Sequence, residues 1–155
     1  MAGALAGLSG GMLLGLWQIL QSVAFGQGFW LPLKLIAGVF LGVDSLLAGP
    51  GAILLGIVIH VFASVALGVG FALILKRDTL PSSALLWGLA YGVAVWVIMT
   101  YLVLWADPTM RARVLLTPRG WFWAHLLFGL GVSSAPALRR RLFAEPTVPS
   151  SGLSR

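Results

Sequence analysis

Four long apolar stretches set the pattern of this chain, and they lie at about 4–25, 52–75, 84–105 and 119–138. Three of them exceed the roughly 20 residues that a helix needs to cross a bilayer core, and the apolar part of the fourth, 121–138, falls within the usual range of about 17–25. Charged residues lie almost entirely between and after these stretches. The pattern therefore predicts an all-α polytopic membrane protein with four transmembrane helices.

The connection between the first two stretches is unusual because it stays apolar at about 29–43. Pro32 suits the first turn of a helix there, and either Gly42 or Gly49 with Pro50 suits its end. About ten residues cannot cross a bilayer, so we expect an interfacial or re-entrant helix in this first connection. Residues 139–155 are polar. We therefore expect a single transmembrane domain, 1–138, followed by a flexible cytoplasmic tail, 139–155.

The composition is typical of a membrane protein, and it excludes several types of functional site. Only 9% of the residues are charged, whereas soluble domains carry about 25%. The chain has no cysteine, which excludes disulfides and thiolate metal sites. The acids fall in predicted loops or the tail, so we expect neither a carboxylate relay within a span nor a paired-carboxylate hydrolase. They are Asp44, Asp78, Asp107 and Glu145. No catalytic constellation stands out, and we expect no autonomous enzyme.

Basic residues beside the apolar stretches indicate the orientation. One side would hold Lys76, Arg77, Arg139, Arg140, Arg141 and Arg155, and the other Lys34, Arg111, Arg113 and Arg119. Because Lys and Arg favour the cytoplasmic side, we expect both termini in the cytoplasm, at a bacterial inner membrane. Topology and anionic lipid account for the net charge of +6, so we expect no nucleic-acid partner.

Two histidines lie inside apolar stretches, and each begins a similar ladder of small residues. Steps of four from His60 give Ser64, Gly68 and Ala72, and steps of four from His125 give Gly129, Ser133 and Ala137. In a second match between the stretches, Gly15 of the first aligns with Gly88 of the third. These matches predict two helix-hairpin repeats that run parallel, related by an axis along the membrane normal.

Small residues also recur at intervals of four in the first and third stretches. Lipid offers no hydrophobic drive between helices, whereas small residues let helix backbones approach closely. We therefore predict helix packing through these rows and the two ladders. The predicted packing residues are Gly7, Gly11, Gly15, Ser64, Gly68, Gly88, Gly92, Gly129 and Ser133.

Three segments carry a resemblance to other proteins: GFWLPLKLIA at 28–37, the mid-helix His60, and AHLLFG at 124–129. In these the chain resembles a group of small, uncharacterised bacterial four-helix integral membrane proteins. The resemblance implies a fold and brings no known activity.

The chemistry of the histidine pair stays open between several alternatives. His60 and His125 at one depth suit the axial positions of a haem b iron, with Arg111, Arg113 and Arg119 available to the propionates. The same pair also suits structural hydrogen bonds between helices, or contact with a quinone or lipid. We expect no copper or zinc site, because further ligands are missing.

Two main classes of function follow. We expect first an accessory or structural membrane subunit that packs against partner membrane proteins, or against its own copies, through the small-residue helix faces. The alternative is a b-type haem-binding electron-transfer subunit. An oligomeric small transporter or channel ranks third.

Overall fold

The computed structural model describes residues 1–76, 79–107, 111, 114–115 and 117–143, with the backbone alone at 103–104. The described residues form helices and no strands. The helices are α1 (Ala2–Ala24), α2 (Leu31–Leu41), α3 (Pro50–Ile74), α4 (Pro81–Ala106), α5 (Pro118–Val132) and α6 (Ala135–Phe143). A 3₁₀ turn at Gly42–Leu46 follows α2. The prediction of an all-α protein is therefore confirmed.

Proline fixes where several of these helices begin. Pro50, Pro81 and Pro118 each open a helix, and Pro32 lies in the first turn of α2. A proline costs nothing at this position, because the first amides of a helix have no intrahelical partner and the fixed φ of proline already suits a helix.

In the part of the chain that the structure describes, three helices are long and apolar enough to cross a membrane: Ala2–Ala24, Pro50–Ile74 and Pro81–Leu102. The predicted fourth span, 119–138, is divided between α5 and α6. Ser134 donates its hydroxyl back to the carbonyl of Gly131 at 2.7 Å, and Pro136 has no amide to continue the helical ladder. At about 1.5 Å per residue, α5 alone is roughly 22 Å long, short of a bilayer core of about 30 Å.

The first residues of the predicted tail are helical in the structure. Residues 139–143 belong to α6, and Arg139 donates from Nη2 to the carbonyl of Ala72 at 2.7 Å. This bond satisfies one of the last carbonyls of α3, which have no partner within their own helix. Residues 144–155 lie outside the described part of the chain.

The main helices pack in the order α3, α1, α5, α4, with α1 antiparallel to both of its neighbours. Among the described residues, α3 and α4 share no comparable seam. They meet through Tyr91, whose hydroxyl donates to the carbonyl of Leu67 at 2.9 Å and whose ring lies 5.2 Å from that of Phe71. The bundle is therefore open along one side, which we call the α3–α4 cleft.

Backbone contact between small residues builds two of the seams. In the α1–α3 seam, a Cβ on Gly7 would collide with the carbonyl oxygen of Ser64 and reach the Cα of Gly68 at 3.0 Å. In the α4–α5 seam, a Cβ on Gly88 would meet Ser133 Cβ at 2.7 Å and the carbonyl oxygen of Gly129. Side chains larger than hydrogen at these glycines would force the helices apart.

The α1–α3 and α4–α5 seams resemble each other, but the residues that occupy equivalent positions differ from the predicted ones. Gly88 lies against Gly129 and Ser133, whose ladder counterparts Ser64 and Gly68 lie against Gly7. By these contacts, Gly88 of the α4–α5 seam is equivalent to Gly7 of the α1–α3 seam, rather than to Gly15. The sequence match rested on two adjacent identities, whereas the contacts depend on which face of each helix meets its partner.

Candidate functional site

A cavity of about 350 Å³ occupies one end of the α3–α4 cleft. Helices α3 and α4 form its walls, α1 and α5 contribute its floor, and α2 closes its end. The lining is mostly apolar, with Leu67, Val95, Met99 and Phe128 among its residues. Its polar or partly polar lining residues are Gln18, His60, Ser64, Asp107, Trp121 and His125. A cavity of this size, apolar with a few convergent polar groups, is typical of a small-molecule site.

His60 joins α3 to α1 at the edge of this cavity. Its Nε2 lies 2.9 Å from the carbonyl oxygen of Gly11, and because a carbonyl only accepts, Nε2 carries the proton and donates. Gly15 leaves room for the ring, since a Cβ there would stand 3.3 Å from Nε2. The Ser64 hydroxyl donates to the carbonyl of His60 at 2.7 Å. Nδ1 is left as the acceptor of the His60 ring.

His125 is held by its own helix. The side chain is 3% exposed, and Nδ1 donates to the carbonyl of Trp121, one turn earlier, at 2.8 Å. The Trp121 ring packs against it with centroids 4.6 Å apart and donates from Nε1 to Thr100 Oγ1 on α4 at 2.9 Å. With Nδ1 protonated, Nε2 is the acceptor of the His125 ring.

Asp107 is the lining residue that was least expected from the sequence. It follows the last residue of α4, as a loop residue does, yet it is 1% exposed and lines the cavity with both histidines. The sequence feature that could have indicated a role for Asp107 was its position just after the third apolar stretch. Local composition does not reveal that a residue just after the end of α4 is buried. Gln18, also buried, approaches the same cavity from α1.

The structure brings His60 and His125 to one cavity but leaves the predicted propionate ligands outside its lining. Arg111 is half-buried and Arg119 is exposed, and neither lines the cavity. Arg113 lies outside the described residues. An axial role for His60 would require Nε2 to leave Gly11 or the iron to take Nδ1. Within the described chain, no group of three or more histidines or acids is placed to hold a metal ion.

All nine predicted packing residues lie in contacts between helices of this chain. The contacts of Gly11 are with Ser64 and His60, and Gly92 lies against Gly129 and the carbonyl of His125. These rows are therefore occupied internally, which leaves other surfaces to meet a partner protein.

A third seam, between α1 and α5, escaped the sequence analysis. Gly10 and Gly131 are in backbone contact, Ser9 Oγ donates to the carbonyl of Gly131 at 3.1 Å, and Trp17 Nε1 donates to that of Gly120 at 3.0 Å. The signal was present, because Gly10 and Gly11 are adjacent and place glycine on two faces of α1.

Beyond Tyr91 the α3–α4 cleft opens into a second cavity of about 450 Å³, lined largely by apolar residues together with Lys76 and Thr79. Neither histidine nor Asp107 lines it, so the polar cluster belongs to the first cavity alone. No known protein family, curated protein or solved structure matches this chain.

Proposed function

We propose that this protein holds one amphipathic small molecule, drawn from the bilayer, in the α3–α4 cleft. The observation that carries the proposal is the convergence of His60, His125, Asp107 and Gln18 on one otherwise apolar cavity. Polar side chains at membrane depth are costly, and they usually mark a functional site. The open side of the bundle would admit an apolar chain from lipid, and the polar residues would hold its head group. Quinone-like and lipid-like molecules have this form.

A pair of matched substitutions on α3 tests the proposal. Ala63 lines the cavity, whereas Ala66 is exposed and does not. Ala63→Phe should fill the cavity and reduce the small molecule that co-purifies in mild detergent, measured by mass spectrometry of organic extracts. Ala66→Phe adds the same bulk on another face and should leave the wild-type amount. Equal amounts from all three proteins would refute a ligand in the cleft.

We propose four membrane crossings, with α5 and α6 together forming the last one and both termini in the cytoplasm of a bacterial cell. The antiparallel contacts of α1 with α3 and α5 support this arrangement, as does the distribution of basic residues. The corresponding α1–α3 and α4–α5 seams support two parallel hairpin repeats. The two histidines would then lie in the outer half of the bilayer.

An accessory role beside another membrane protein is a second proposal. It would use the first connection, where Phe40, Val43 and Leu47 are exposed, since the small-residue rows are occupied within the chain. Phe40→Gln should remove a larger native complex from membranes solubilised in mild detergent. An unchanged complex size would exclude this surface.

The haem alternative rests on the two histidines, and no further contact among the described residues supports it. The transporter alternative would require oligomers, and no contact in the described part of the chain supports it either. Visible absorption of the purified protein tests the first. A Soret band would support it, and a colourless protein would set it aside.

A further inference from the structure

The polar groups around the first cavity have already used most of their hydrogen-bond donors. His60 donates to Gly11, His125 donates to Trp121, and Ser64 donates to His60. The indole N–H of Trp121 is likewise taken up by Thr100. Each of these donors ends on another group of the protein and is not directed at a ligand.

The atoms left over on these side chains are acceptors. Once Nε2 of His60 donates, Nδ1 keeps a lone pair, and once Nδ1 of His125 donates, Nε2 keeps one. The Ser64 oxygen, whose own hydroxyl proton is donated to His60, still has acceptor capacity. Gln18 is the one lining residue named here whose side chain brings an amide N–H of its own. The polar end of the cavity is therefore rich in acceptors.

We propose that the molecule in the α3–α4 cleft carries a hydrogen-bond-donating head group, an O–H or N–H, on an apolar chain. This inference rests on the proposed function and narrows it. A ketone, ester or ether head would bring more acceptors to a site that already has them, and buried acceptors without donors lose their hydrogen bonds to water. A hydroxyl or an ammonium group would satisfy them. A quinol fits this chemistry better than its oxidised quinone.

A series of single-chain molecules with one varied head group tests this chemistry. Wild-type protein in nanodiscs of fixed lipid composition would receive n-decanol, n-decylamine or decyl methyl ether at equal mole fractions. Binding would be followed by the rise in melting temperature with ligand. The alcohol or the amine should bind about tenfold more tightly than the ether, as expected for one well-placed hydrogen bond. The stronger of the two would identify a neutral hydroxyl or a cationic amine as the natural head.

Substitutions in the cavity lining test which side chains select the head group. His125→Phe keeps a ring but removes the Nε2 acceptor, and Ser64→Ala removes a hydroxyl oxygen that lines the cavity. Each should reduce the preference for the donor heads over the ether, and Ser64→Ala keeps the test usable if the phenylalanine variant does not fold. Tyr91→Phe is the control, because it removes a hydroxyl that does not line this cavity, and it should keep the wild-type preference.

Three results would overturn the inference, and they differ in meaning. Equal stabilisation by the ether and the donor-headed molecules would show that the cleft binds chains without selecting the head, so the proposed function would survive alone. Absence of stabilisation by any member of the series would count against both. A preference for the donor heads that both variants retain would place the selecting group elsewhere.

Discussion

Replacing Gly7 by alanine tests the α1–α3 seam with the smallest side chain available. The added Cβ would collide with the carbonyl oxygen of Ser64 and stand 3.0 Å from both the carbonyl carbon of Ser64 and the Cα of Gly68. All three are backbone atoms, so no side-chain rotation can relieve the contact and the helices must separate. Overpacking of this kind costs about 1–3 kcal/mol, and we expect the upper end because the obstacle is backbone.

The alanine also stabilises the helix itself, and this gain must be subtracted from the cost of overpacking. Alanine is a better helix former than glycine by about 1 kcal/mol, which leaves a net loss near 2 kcal/mol. For a chain of this size that corresponds to a melting temperature roughly 4–8 °C lower. Unfolding followed by tryptophan fluorescence in one detergent would measure the change.

Gly51→Ala provides the matched control. Gly51 lies in the first turn of α3, is exposed, and has no atom within 4 Å of its would-be Cβ. The same substitution there should leave the melting temperature unchanged or slightly raised. If Gly7→Ala melted like Gly51→Ala, the close contact of α1 with α3 would be wrong.

Two further predictions concern topology and the histidines. Because the chain has no cysteine of its own, single cysteines at Ser82 and Thr117 should react with membrane-impermeant reagents from opposite sides of the membrane, and reaction from the same side would contradict four crossings. His60→Ala and His125→Ala should destabilise the protein non-additively, with a coupling of about 0.5–3 kcal/mol, because both side chains border one cavity. Additive losses in the double mutant's unfolding free energy would mean that the two sites are independent.

The long elements were predictable because each depends on local sequence. Runs of apolar residues predicted the helices, and Pro32 indicated where α2 begins. The sequence left the end of α2 open between Gly42 and Gly49 with Pro50, and the structure has it at Gly42. The division of the last stretch at Ser133–Ser134 was harder to anticipate, since its overall hydropathy resembles that of a continuous span. Hydrogen bonds from side chains to the helix backbone, such as that of Ser134, do not appear in a hydropathy pattern.

The candidate site was predictable only in part. His60 and His125 were recognisable because a histidine in an apolar stretch is unusual, and their ladders indicated similar depth. Asp107 and the open α3–α4 cleft depend instead on the order in which helices pack. The sequence pattern treats the two hairpins as equivalent, but the structure joins them closely on one side, through α1 and α5, and leaves the other side open.

The seam between α1 and α5 has a consequence for how the protein is made. Ser9 and Gly131 are 122 residues apart along the chain, and Trp17 and Gly120 are 103 apart. Helix α1 must therefore wait in the bilayer, with its Gly10 face uncovered, until α5 has been synthesised more than 100 residues later. The α1–α3 hairpin can form early, whereas closure on α5 comes last. Such late, long-range contacts leave an exposed surface during synthesis, so a helix-holding insertion factor would matter most in that interval.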